Sequence, residues 1–159
     1  MDLFFFSIYI LFSKLTTLSV FLLGFFLNVI LNNILKGIIR QPRPGEDKRL
    51  FNLKLMSKNK VNRIGHDIFG MPSGHAQLTF YVSSFIFFTL KDKWIPMMYF
   101  IVSLITLYQR VKYKNHTFEQ VVIGAIVGII MGYAFSLYNK RVLSGEPSAK
   151  KDDNYFGFL

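Results

Sequence analysis

Two histidines in the chain lie in short polar segments that suit reactions at phosphorus. His75 follows Ser73 and Gly74 in a Met-Pro-Ser-Gly-His segment, and His116 ends a short basic segment. An imidazole can attack phosphorus or transfer a proton near neutral pH. A serine hydroxyl and a glycine at the start of a helix favour a bound anion. These residues are therefore candidates for a phosphoryl-transfer site.

Three cations accompany the histidines at regular spacings. Lys36 and Arg43 form a Lys-x6-Arg-Pro pattern, and Arg110 precedes His116 in an Arg-x5-His pattern. Charge spreads over the equatorial oxygens of a transferring phosphoryl group, so fixed cations stabilise its transition state. The alternative for Lys36 and Arg43 is a structural role as interfacial cations whose stems lie in the membrane.

Gln120 stands four residues after His116, on the same side of a helix if one begins there. Its amide oxygen can accept the imidazole N–H and select one tautomer. Thr117-x-x-Gln120 also fits a capping box, which is a purely structural role, and Glu119 is a further candidate for orienting the imidazole. The residues themselves leave these alternatives open.

The elements that carry these residues are apolar stretches. The first runs from Leu3 to about Leu35, either as one span near 15–35 after an interfacial helix or as two short elements. Three others follow, at about 75–90, 94–108 and 117–138. A membrane-spanning helix needs roughly 20 apolar residues. If the spans alternate in direction, the histidines, the three cations and most other basic residues share one membrane face.

We therefore predict an all-α integral membrane protein, a bundle of about four to five transmembrane helices with the site at one membrane face. Residues 1–138 would form the membrane-embedded domain, with its motifs within 36–120, and residues 139–159 a polar, flexible tail. The acidic start and the absence of a small-residue cleavage site indicate a retained membrane segment rather than a secretory signal.

Composition supports this assignment. Hydrophobic residues make up 52% of the 159 residues, including 18 phenylalanines, and the formal net charge is +10. Such a charge suits nucleic acid, an anionic membrane surface or an anionic substrate, and the apolar bulk argues against nucleic acid. The chain has no cysteine, which excludes a disulfide framework, a thiolate nucleophile and a zinc–thiolate site.

The three segments together resemble the signature of the type 2 phosphatidic acid phosphatases, the membrane lipid-phosphate phosphatases related to vanadium haloperoxidases. That family carries Lys-x6-Arg-Pro, then Pro-Ser-Gly-His, then Ser-Arg-x5-His-x3-Asp. Gln109 stands here in place of the serine, and Gln120 in place of the aspartate. With Gln at that position, the pattern is similar to the dolichyl-diphosphatase branch.

The resemblance implies a role for each matching residue. His116 would be the nucleophile, His75 the general acid and Gln120 the residue that orients the nucleophile. The implied phosphate-binding residues are Lys36, Arg43, Ser73, Gly74 and Arg110. The family needs no metal ion, and we predict neither a metal nor another cofactor.

The resemblance also implies a function. We expect hydrolysis of a lipid phosphate or diphosphate through a phosphohistidine, preferentially of an isoprenoid (dolichyl or polyprenyl) diphosphate, in an endoplasmic reticulum-type membrane. Open alternatives are a phosphatase for phosphatidic acid or another glycerolipid, and a weakly active or inactive relative that binds or moves phospholipids. A haloperoxidase and a structural membrane protein without a site are less compatible with the residues.

Other features suggest partners and surroundings. Gly124, Gly128 and Gly132 form a small-residue stripe that predicts close helix packing, either within the monomer or between copies in a homo-oligomer. His66 and Asp67 would line the entrance to the site or belong to polar surface. Residues 50–56 mix apolar and basic side chains, which suits a segment on the membrane surface, a lid or an ordinary loop.

Overall fold

The computed structural model describes residues 2–44 and 68–145, which form five helices and contain no strand. The helices are α1 (Asp2–Leu11), α2 (Leu15–Ile39), α3 (Gly74–Thr89), α4 (Trp94–Lys112) and α5 (Phe118–Gly145). The all-α prediction is therefore confirmed. His66, Asp67, residues 50–56 and the chain beyond Gly145 lie outside the described residues.

The N-terminal apolar stretch forms one long helix preceded by a short one, which is the first of the two predicted arrangements. Lys14 separates α1 from α2, and its amide donates to the carbonyl of Leu11 at 2.8 Å. The Ser7 hydroxyl of α1 lies 2.9 Å from the phenolic oxygen of Tyr99 in α4, and both residues are buried. The short helix is thus packed against the bundle.

From Asn28 onward, helix α2 exposes mainly apolar side chains and buries polar ones, and its exposed surface is apolar along most of its length. Phe26 and Ile38 are 60% and 72% exposed, whereas Asn28, Asn32 and Lys36 are buried. In a water-soluble bundle the apolar side chains would be buried and the polar ones exposed, because the apolar stripe of each helix faces the core. The pattern fits a helix whose outer face contacts lipid, as expected of a helical membrane protein.

Helix α3 lies at the centre of the bundle, between α2, α4 and α5. It has 16 residues, about 24 Å at 1.5 Å per residue. Helices α2 and α5 are the two, within the described residues, that are long and apolar enough to cross a membrane. Because α3 is largely covered by protein, it can carry polar side chains such as Gln77, Ser83 and Ser84 that a lipid-facing helix would avoid.

The predicted glycine stripe packs α5 closely against α3 of the same chain. A Cβ atom at Gly128 would meet the carbonyl oxygen of Gln77, and one at Gly132 would lie 2.6 Å from the carbonyl oxygen of Tyr81. Gly124 similarly faces the backbone of Ser73. These glycines therefore serve packing within the monomer, and self-association stays a prediction that would have to use other residues.

Two helices continue beyond their predicted ends. Helix α4 reaches Lys112 rather than residue 108, and α5 reaches Gly145 rather than residue 138. The extension of α5 takes in Lys140 and Arg141, which are exposed and polar but compatible with a helix. An apolar run marks the part of a helix in lipid, and the helix itself need not stop where that run ends.

Candidate active site

The imidazole of His116 lies buried where three segments of the chain meet. It sits between α4 and α5, and only 3% of its surface is exposed. Its Nε2 atom is 2.8 Å from an Nη1 atom of Arg43, and its Nδ1 atom is 2.9 Å from the carbonyl oxygen of Gly70 and 3.2 Å from Oε1 of Gln120. Both ring nitrogens are therefore held in place.

These contacts select one tautomer. A guanidinium can only donate, so Nε2 of His116 accepts from Arg43 and carries the free electron pair. The proton then resides on Nδ1, which donates to Gly70 and Gln120. Burial, followed by the positive charge of Arg43, lowers the pKa of His116 from 6.5 to about 3, against the opposing effect of the hydrogen bonds to Gln120 and Gly70. The imidazole is neutral at physiological pH, as a nitrogen nucleophile must be.

Gln120 caps a helix and also contacts the imidazole of His116, so its position is compatible with both predicted roles. Its side-chain Oε1 accepts from the backbone N–H of Thr117 at 3.2 Å, and its backbone N–H donates to the Thr117 hydroxyl at 3.3 Å. Together these two hydrogen bonds form a capping box at the start of α5. The same Oε1 faces Nδ1 of His116. Glu119, the alternative orienting residue, is exposed.

Gln41 and Gly70 also contact the candidate site, and neither is predicted from the sequence. The Nε2 group of Gln120 donates to Oε1 of Gln41 and to the carbonyl of Pro42, both at 2.9 Å. The Gly70 amide donates to the Gln41 carbonyl at 2.7 Å, and a Cβ at Gly70 would collide with the Gln120 amide. Both residues adjoin recognised motifs, but only their position in space shows the contact.

The turn after α2 directs Arg43 towards His116. Arg40 ends the helix in a left-handed conformation with φ 49°, and its Nε donates to the carbonyl of Gly37 at 2.8 Å. Pro42 follows and cannot donate a helical hydrogen bond. The Arg43 guanidinium is buried and also donates to the carbonyl of Asn115 at 3.2 Å. Arg43 is therefore attached to the same turn that carries the nucleophile candidate.

Ser73 offers a buried hydroxyl at the start of α3. It occupies the N-cap position but makes no side-chain capping hydrogen bond, and its Oγ has no partner among the described residues. Its backbone amide donates to the Gln120 carbonyl at 2.9 Å, so that N–H is already engaged and is not available to an anion. An unused buried hydroxyl suits a ligand oxygen, because leaving it unpaired is costly.

The remaining predicted site residues lie at the same end of the bundle. Lys36 is buried in the last turn of α2, close enough for its charge to lower the pKa of His116. The missing Cβ of Gly74 faces Oδ1 of Asn32 at 3.1 Å, so this glycine also serves helix packing. His75, near the start of α3, is exposed. Arg110 is joined to His116 through the backbone, because its carbonyl accepts from the backbone N–H of His116 at 3.2 Å.

Comparison with known protein families gives the class of protein. The profile of the PAP2 superfamily matches residues 17–143, which include every predicted site residue. The chain therefore belongs to the PAP2 superfamily.

Individual relatives narrow the comparison to one branch. The chain is similar to the dolichyldiphosphatase of Saccharomyces cerevisiae, with 29% identity over 72% of this chain and 47% of the relative. It is also similar to human dolichyldiphosphatase 1, with 28% identity over 82% of this chain and 56% of the relative. The chain thus spans about half the length of these curated relatives. No solved structure matches it.

Proposed function

We propose that this protein is a membrane lipid phosphatase that hydrolyses an isoprenoid diphosphate, such as a dolichyl or polyprenyl diphosphate. The observation that carries the proposal is the neutral, buried His116, whose Nε2 electron pair points at the Arg43 guanidinium where an anion would be bound. The similarity to dolichyldiphosphatases supports the choice of substrate. The two described helices that are long and apolar enough to cross a membrane, α2 and α5, support a multi-pass membrane location, for which an endoplasmic reticulum-type membrane is our prediction.

In the first chemical step, Nε2 of His116 attacks the terminal phosphorus. A nitrogen–phosphorus bond forms as the bridging oxygen–phosphorus bond breaks, and the leaving lipid monophosphate keeps that electron pair. His75 donates a proton to the leaving oxygen. Arg43, Arg110, Lys36 and the Ser73 hydroxyl would bind the equatorial oxygens.

In the second step, water attacks the phosphohistidine. The nitrogen–phosphorus bond breaks, its electron pair returns to Nε2, and the water proton passes to His75, which regains its acidic form. The products are inorganic phosphate and the free enzyme. Throughout, Gln120 and the Gly70 carbonyl would keep the Nδ1 proton in place, so the ring cannot rotate away from phosphorus.

The test is phosphate release by purified protein from three substrates: a polyprenyl diphosphate, the matching polyprenyl monophosphate and phosphatidic acid. We expect the diphosphate to react fastest. The variant His116→Gln preserves size and polarity, and it should abolish both phosphate release and the acid-labile labelling of the protein by radioactive phosphate. Gln109→Ser, at an exposed position outside the contacts of His116, is the matched control. Release by His116→Gln equal to that of the unmodified protein would overturn the proposal.

The general-acid role of His75 is tested by asking whether the rate lost on its substitution depends on the leaving group of the substrate. A diphosphate expels a phosphate monoester, which leaves without much help, whereas a monophosphate expels an alkoxide that requires a proton. His75→Asn should therefore slow monophosphate hydrolysis about 10²–10⁴-fold and diphosphate hydrolysis much less. Equal losses on the two substrates would contradict the general-acid role.

A weakly active relative is the second candidate, and one observation favours it. Gln120 cannot place a full negative charge beside the imidazolium that forms in the reaction. Lipid binding without phosphate release from any of the three substrates would support this candidate and exclude the enzyme.

A further inference from the structure

A groove lies at the opposite end of the bundle from His116, between α3, α4 and α5. Its volume is about 730 Å³, within the roughly 300–1,000 Å³ of ligand pockets. Its walls are almost wholly apolar. The larger wall residues are Phe80, Phe87, Phe88, Met97, Phe100 and Ile129.

The groove has the length of one membrane leaflet. It runs along α3 from Phe80 to Leu90, about 15 Å at 1.5 Å per residue. The hydrocarbon core of a bilayer is about 30 Å thick, so each leaflet contributes about half of that. Trp94 is exposed at the start of α4, at the polar end of the groove, and tryptophan is enriched at membrane–water boundaries. With Trp94 placed at that boundary, the groove would extend from near the bilayer centre to one surface.

The polar end of the groove is cationic. Lys91 and Lys93 line it and are exposed. Asp92 lies between them, but its Oδ1 accepts from the amides of Trp94 and Ile95 at 2.7 and 2.9 Å. Its charge is therefore directed at the start of α4, where it offsets the positive end of the helix dipole. The two lysines are left to attract an anion at the surface.

We propose that this groove binds an anionic phospholipid of the leaflet opposite the His116 site. One acyl chain lies along the phenylalanine-lined wall, and the headgroup phosphate contacts Lys91 and Lys93. The combination of an apolar channel one leaflet long and a cationic rim at its surface end matches both parts of such a lipid. This site is separate from the hydrolytic site, so the lipid bound there is a structural ligand and not a substrate.

The test measures lipids bound to the purified full chain by native mass spectrometry. The protein is equilibrated with equal amounts of dioleoyl phosphatidylglycerol and dioleoyl phosphatidylcholine, which differ in headgroup charge. We expect one bound phosphatidylglycerol per chain. Each of the two lysines should raise the affinity for phosphatidylglycerol over phosphatidylcholine by about fivefold. Equal retention of the two lipids would overturn the proposal.

Two pairs of variants separate the headgroup from the acyl chain. The double variant Lys91→Gln with Lys93→Gln should remove the preference for phosphatidylglycerol. The double variant Lys140→Gln with Arg141→Gln removes two exposed cations from the end of α5, at the same end of the bundle, and should keep the preference. Met97→Trp fills the groove and should prevent binding, whereas Met98→Trp, on the adjacent exposed position outside the groove, should not. Equal loss in the control variants, or a dimer that Met97→Trp dissociates, would contradict the lipid site.

Discussion

At the scale of single residues, burial and the Arg43 guanidinium lower the pKa of His116 and favour its neutral form. The pKa of His116 is about 3 in the folded protein and about 6.5 when unfolded. As pH falls from 6.5 to 3, the unfolded chain takes up a proton that the folded chain does not, so folding stability falls over that range. Above pH 6.5 both forms are neutral and the residue adds no pH dependence.

We therefore predict that His116→Gln weakens the loss of thermal stability between pH 6.5 and pH 3, measured as the unfolding midpoint in detergent. His75→Gln, at an exposed histidine, should keep the dependence that His116 contributes. If His116→Gln and the unmodified protein lose stability in parallel, the imidazole is not held neutral by its surroundings.

The amide of Gln120 fits its surroundings better than a carboxylate does. Its oxygen accepts from His116 and Thr117, while its nitrogen donates to two oxygens, on Gln41 and Pro42. A carboxylate has no donor for those two oxygens. Where the family has an aspartate, this protein has an amide, and Gln41 and Pro42 provide the two acceptor oxygens that the amide nitrogen needs.

Gln120→Glu should consequently destabilise the protein by about 1–3 kcal/mol, because it places an acceptor against the part-buried acceptor oxygens of Gln41 and Pro42. Glu119→Gln, the reverse change on the adjacent exposed residue, should have little effect. Thermal unfolding and phosphate release measure both variants. A more stable and faster Gln120→Glu enzyme would mean that the amide network is dispensable.

At the scale of helices, the contact between α3 and α5 is set by the absence of side chains. Gly128 faces backbone atoms of α3, which cannot rotate away as a side chain can. Gly128→Ala should destabilise the fold by about 1–3 kcal/mol through overpacking. Gly145→Ala is the matched control, since a Cβ there meets no atom within 4 Å. Unfolding in detergent measures both, and equal stability of the two variants would contradict the packing role.

A network of buried amides joins α2 to α3 below the site. The Gln77 Nε2 group donates to Oδ1 of Asn28 at 2.7 Å, and Oε1 of Gln77 accepts from Asn32 at the same distance. Asn32 also donates to the Pro72 carbonyl at 3.3 Å. The loop that precedes Ser73 is thereby attached to α2, which helps fix where α3 begins.

Helices α3 and α5 were predictable because their starts carry local signals. Pro72, Ser73 and Gly74 mark the beginning of α3, and the Thr117–Gln120 capping box marks that of α5. The arrangement of the first apolar stretch stayed open because Lys14 interrupts it without a proline or glycine. The contacts of Gln41 and Gly70 were not predictable, since Gln41 meets a residue 79 positions away.

At the scale of the whole molecule, the helices should place the two ends of the bundle on opposite membrane surfaces. Lys112 ends α4 at the His116 end, and Lys140 lies near the far end of α5. Residues 118 and 140 are about 33 Å apart along the helix, which matches the thickness of the hydrocarbon core.

Single-cysteine variants can measure this arrangement, because the natural chain has no cysteine and is itself the unlabelled control. In sealed vesicles, a membrane-impermeant maleimide should label Lys112→Cys and Lys140→Cys from opposite sides. Labelling of both from the same side would contradict the predicted alternation of spans. The side that admits label to Lys112→Cys would also be the side of the proposed hydrolytic site.

The partners of His116 have a consequence for how the protein is made. Arg43 and Gly70 lie 73 and 46 residues from it along the chain, so the site has high contact order. Domains are synthesised from the N-terminus and long-range contacts form late. A nascent chain that has inserted α2 and α3 but not yet released the start of α5 carries Lys36, Arg43 and Ser73 without His116 and Gln120 in place. The proposed hydrolytic site can therefore form only after the start of α5 has been released and packed against the earlier helices.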